Sequence, residues 1–81
     1  MKNKYHFKYH VRCKEVFGKF VFSITQGENV LYENIYPSFT GWQPIEGEFY
    51  AENIKGLSVH VLSGYPVFPE IGADHILKKA G

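Results

Sequence analysis

The sequence predicts a mainly β fold, with an α+β variant left open by its tail, and three observations carry the prediction. Residues 4–14 alternate without a break between apolar side chains and lysine, histidine or arginine. β-Branched and aromatic residues fill the short runs that follow, and aromatics make up 17% of the chain. Glycine- and proline-bearing turns punctuate those runs at the spacing of hairpins. The expected architecture is about five antiparallel strands in a small barrel or curled sheet: an N-terminal strand, two tandem hairpins and a short C-terminal helix. Residues 1–81 are expected to form one domain.

The first element is the clearest. Tyr5, Phe7, Tyr9, Val11 and Cys13 alternate with Lys4, His6, Lys8, His10, Arg12 and Lys14. A period of two places the first set on one face of a strand and the second on the other. The apolar face requires cover, and the opposite face becomes a ladder of cations and imidazoles. Residues 14–18 then read as a turn, with Gly18 suited to a positive φ.

Residues 20–39 and 49–68 resemble one another at one constant offset. Phe20, Gly27, Val30, Tyr36, Pro37 and Phe39 match Phe49, Gly56, Val59, Tyr65, Pro66 and Phe68. Each copy reads as a β-prone run, a turn (residues 26–29 and 53–56), a second β-prone run and Tyr-Pro-x-Phe. The two turns are expected to close two hairpins. Pro37 and Pro66, lacking an amide, should end the second strand of each, and Phe39 and Phe68 should fold back over the open end. Residues 29–36 also fit a helical face, but two turns ending at a proline favour a strand.

Residues 40–47 and 64–72 read as loops by their Gly and Pro content. The tail, residues 73–80, reads as a short helix, with Asp74 near its start and Lys78 and Lys79 near its end, the charge order that suits a helix dipole. Ile76 and Leu77 would anchor it.

Charge is partitioned along the chain. Lys2, Lys4, Lys8, Arg12, Lys14 and Lys19 crowd the first stretch against Glu15 alone. Thereafter Glu28, Glu33, Glu46, Glu48, Glu52, Glu70 and Asp74 face Lys55, until the final lysines restore a net charge of +1. That total excludes a strongly basic DNA-coating protein and a polyanionic mimic of nucleic acid. The basic strand is read either as internally paired with neighbouring acids or as an anion-binding stripe of Lys4, His6, Lys8, His10 and Arg12. No apolar run reaches the ~20 residues of a membrane span, and the single cysteine fits a reduced, cytoplasmic protein.

Catalytic signatures are missing: there is no glycine-rich phosphate loop, no His-Glu-x-x-His, no Cys-x-x-Cys and no Gly-x-Ser-x-Gly. His6 and His10 share a face but lie about 13 Å apart on a strand, too far to ligate one ion with bonds of about 2 Å. His60 could approach them only if the first and last strands pair, and His75 stands in the tail. Cys13 belongs to the buried set. No catalytic residue, metal ligand or cofactor is assigned. Trp42, in a loop bounded by Gly and Pro, either plugs the core or contacts a partner. Tyr36, Tyr50 and Tyr65, at the hairpins or their ends, are candidate contact residues beside it, and Tyr32 carries the same ambiguity.

Seven Phe, six Tyr and one Trp exceed what five short strands can cover. The expected function is therefore a small non-enzymatic binding module that self-associates, acting as an accessory, adaptor or inhibitor protein. Its partners would be its own copies, another protein or a small anionic ligand. The alternative is a binder of a nucleotide or single-stranded nucleic acid, using the basic strand and surface tyrosines. A small acid–base enzyme built on His60 or His75 with Glu46 or Glu48 comes third.

Overall fold

Alternation along the first run does what its period requires. In the computed structural model, which describes residues 1–13, 18–63 and 69–80, β1 spans Asn3–Cys13 with Tyr5, Phe7, Tyr9, Val11 and Cys13 buried. Lys4, His6, Lys8, His10 and Arg12 occupy its other face. Beyond it lie β2 (Lys19–Gln26), β3 (Asn29–Pro37), β4 (Gly41–Ala51), β5 (Leu57–Ser63), β6 (Glu70–Ile71) and β7 (Ile76–Lys79).

These strands form two antiparallel sheets. β1 is the centre of the first, with β4 along one edge and both β6 and β7 along the other. β2 is the centre of the second, between β3 and β5. The central strands face each other. Phe7 stacks on Phe22 at 5.9 Å between ring centroids, Tyr9 lies 5.7 Å from Phe22, and Tyr32 meets Phe7 edge-on at 4.7 Å. Phe7, Val11, Phe22 and Ile24 are wholly buried, and each such side chain contributes roughly 1.5–3 kcal/mol.

The β2–β3 hairpin forms as its turn predicts. Gln26 pairs with Asn29, Gly27 takes a φ of 62°, and Glu28 keeps a negative φ, the II′ arrangement that matches strand twist. β3 ends at Pro37, where the ladder loses a donor. Residues 29–36 are strand, and Gly18 has the expected positive φ, 114°.

Five expectations are corrected. The C-terminal helix is absent: Ile76–Lys79 is strand β7, paired with Tyr5, His6, Phe7 and Lys8. A tail this short cannot nucleate a stable helix, whereas pairing satisfies the second edge of β1 and turns Leu77 onto the core. Among the described residues there are seven strands rather than five, in two sheets that do not close into the barrel offered beside a curled sheet. The second hairpin does not exist, because β4 and β5 lie in different sheets; the turn at 53–56 carries the chain from one sheet to the other. It is pinned by Gln26 Nε2, which donates to Asn53 O and Lys55 O at 3.1 and 2.9 Å.

Neither expected loop is wholly loop. Residues 41–47 belong to β4, where an edge position tolerates Pro44, and Glu70–Ile71 pairs with Val11 and Arg12. Finally, Phe39 does not fold back over the core and stays 57% exposed. Tyr65, Pro66, Phe68 and most of the turn at 14–18 lie outside the described residues.

Candidate functional site

The outer face of the first sheet carries the basic ladder, and antiparallel register brings acids to it. Lys4 Nζ lies 3.2 Å from Glu48, His6 Nε2 3.1 Å from Glu46, and Arg12 Nη2 donates to Glu70 at 2.8 Å. β4 supplies the first two partners and β6 the third. All are partly exposed, so each pair contributes roughly 0.2–1 kcal/mol. Acids thereby meet the ladder at Lys4, His6 and Arg12. Among the described residues, Lys8 has no carboxylate within ion-pair distance.

At one end of this face the chain builds a hollow of about 390 Å³, lined by His10, Trp42, Gly72, Ala73 and Asp74. Its position follows from the break between β6 and β7, which leaves residues 72–75 to bridge the gap along β1. Gly72 N donates to His10 O at 2.8 Å, and His75 stacks on Tyr9 at 5.0 Å with the rings 7° from parallel. Trp42 projects from β4, with the Arg12 guanidinium 5.3 Å from its ring centroid. A Cβ at residue 72 would stand 3.1 Å from Trp42 Cζ3, so glycine there lets the indole lie close against the backbone. Arg12 is tied in turn to Glu70. The indole is thus held on two sides yet 51% exposed, beside an imidazole and a carboxylate. This arrangement can offer stacking, a hydrogen-bond donor and an acceptor to a small polar ring or a partner's side chain.

The remaining candidate residues are dispersed. Tyr50, 58% exposed, lies at the far end of β4 opposite Lys4, eight residues and about 27 Å from Trp42. It lines a second hollow of about 500 Å³ with Lys2, Gln26, Val30 and Glu52 among its neighbours. Tyr36 points inward, stacks on Phe20 and shares a hydrogen bond with the hydroxyl of Tyr32. Tyr65 lies outside the described residues.

Burial, followed by that bond to Tyr32, pushes the Tyr36 hydroxyl up to about 12. A group whose neutral form the fold favours stabilises the native state fully below its unfolded value near 10 and loses that contribution as pH rises through 12. Burial raises the Tyr9 hydroxyl as well, so absorbance titration of phenolate is expected to show more than one tyrosine ionising late, and Tyr36→Phe should remove the latest part of that rise while leaving the part that belongs to Tyr9. A wild-type titration complete by pH 11 would contradict the buried pair.

The histidines do not converge. His6 and His10 face outward from the first sheet, His60 faces outward from the second against Thr25 Oγ1 at 3.1 Å, and His75 covers Tyr9. The described residues hold no group of three or more potential metal ligands. Cys13 is 1% exposed, and burial pushes its thiol up.

Sequence reasoning missed two features. On the outer face of the second sheet, register aligns Ile35, Val21 and Leu62 in one apolar row, with Ile35 60% and Leu62 64% exposed. The second feature is β5 itself, among the described residues an edge strand, with no Lys, Arg, Asp or Glu in Leu57–Ser63. Its composition was readable; its edge position was not. Comparison with protein-family models, curated proteins and solved structures finds no match to this chain.

Proposed function

We propose that this chain is a non-catalytic binding module that works through contact with protein surfaces, first of all those of its own copies. One observation carries the reading: the core is complete without several of the largest apolar side chains. Trp42, Tyr50, Phe39, Ile35 and Leu62 are each more than half exposed while Phe7, Phe20, Phe22 and Phe49 fill the interior. Apolar surface spread over both sheet faces of so small a body is the surface an assembly covers.

The nucleic-acid alternative draws less support. Lys4, His6 and Arg12 are engaged with carboxylates, which any phosphate would have to displace, and Tyr36 is turned inward. Trp42 and Tyr50 remain as contact residues, one beside each hollow, for a protein partner or a small ligand.

Size-exclusion chromatography with light scattering, run across a wide concentration series, tests the reading. The mass is expected to climb from one chain toward two or more. A mass of one chain at every concentration would remove the self-association on which it stands.

A further inference from the structure

We infer that two copies of this chain pair through the outer edge of β5 between Ser58 and Leu62, antiparallel about a two-fold axis at His60. The inference rests on the self-association proposed above and names its seam. Among the described residues, β5 pairs with β2 alone. An unblocked strand edge is a template for another strand, and proteins ordinarily blunt such edges with charge, proline or irregularity.

The other edges here are blunted. β3 carries Glu33 and Pro37, a register irregularity opposite Ile24 and Thr25, and an Asn34 side chain that accepts its own edge amide from Ile35 at 2.9 Å. β4 carries Pro44, Glu46 and Glu48. β6 and β7 are short and hold Glu70, Lys78 and Lys79. β5 has none of these devices.

The sequence of β5 also suits a copy of itself, as a two-fold interface demands. Antiparallel pairing about His60 sets Val59 against the partner's Val61, and Ser58 against the partner's Leu62, once on each side of the axis. Leu57, Val59 and Val61 are only partly buried at the rim of the core, and each would gain cover from the adjoining copy. On the outer face, Leu62 would lose solvent exposure against Ser58. Two three-stranded sheets would become one sheet of six.

Cysteine cross-linking on the full chain, with oxidised glutathione as electron acceptor, reads the register directly. Residues opposite each other across an antiparallel pair have Cα atoms about 4.5–5.5 Å apart, within the span of a disulfide. His60→Cys is expected to give a covalent dimer, and so is the double variant Ser58→Cys, Leu62→Cys. Ser58→Cys alone should not, since two such residues would lie about 13 Å apart along the strands. Wild type, whose only thiol is the buried Cys13, sets the background. His60→Glu, which sets two carboxylates face to face, should weaken dimerisation about tenfold or more.

If wild type dimerises while neither cysteine variant cross-links and His60→Glu dimerises as wild type does, the β5 seam is overturned and self-association survives elsewhere. If wild type never dimerises, both fall together.

Discussion

Replacing Phe7 with alanine is expected to leave the chain barely folded. Phe7 is 0% exposed and lies within ring-contact distance of Tyr9, Phe22, Tyr32 and Phe49. It is therefore the ring through which the two sheets meet. Removing a buried phenyl group costs about 3–5 kcal/mol, the sum of lost transfer energy and the cavity left behind. A chain of 81 residues has roughly 4–12 kcal/mol in total at ~0.05–0.15 kcal/mol per residue. The melting temperature should drop by about 12–40 °C, at ~4–8 °C per kcal/mol for a domain of this size. Near-ultraviolet circular dichroism, which reads the packed rings, should follow the loss. A drop of only a few degrees would mean that the sheets are not held together at Phe7.

The second large effect concerns a residue with no side chain. Gly47 pairs with Phe7 across the β1–β4 ladder, and a Cβ there would stand 2.9 Å from Phe7 Cζ and 3.0 Å from Tyr32 Cε1. On propensity alone, valine in place of a strand glycine would stabilise, since strand glycine costs roughly 0.5–1 kcal/mol. Here the packing term has the larger magnitude and sets the sign. Gly47→Val is expected to destabilise by about 1–3 kcal/mol, because the added methyls enter space already filled by two rings. A shorter side chain at position 7 should relieve the clash. In urea unfolding, Phe7→Leu with Gly47→Val should lose less than the sum of the single losses, by about 1 kcal/mol or more. Strict additivity, or a Gly47→Val protein as stable as wild type, would show that the ring does not depend on that glycine.

These two residues show how much the chain discloses before it folds. Phe7 was legible: strict alternation assigned it to the buried face of β1, and Cys13 with it. The hairpin turn at residues 26–29 and the end of β3 at Pro37 are legible for the same reason, since each depends on neighbours within a few positions. Gly47 reads in sequence as part of a loop, because glycine and proline ordinarily mark loops. Its actual reason for being glycine is a ring forty residues earlier in the chain. The tail departs from its local signals on the same principle. Its charge order suits a helix dipole, but the open edge of β1 offered hydrogen bonds that an isolated single turn could not match.

The candidate site divides along that line as well. Pairing of the basic ladder with Glu46, Glu48 and Glu70 was foreseeable as a possibility, and register made it specific. The setting of Trp42 was not foreseeable. It required β4 to place the indole beside Arg12, and the gap between β6 and β7 to bring Gly72 and Asp74 to His10.

Local order alone determined that this chain is β, which face of its first strand is buried, and where its first hairpin turns, because strand period and turn chemistry act between near neighbours. Tertiary structure decided which strands share a sheet, which ring rests on which glycine, and which strands stand at the sheet edges among the described residues. Those outcomes depend on contacts between distant segments, whose free energy exists only once both sheets have closed on a common core.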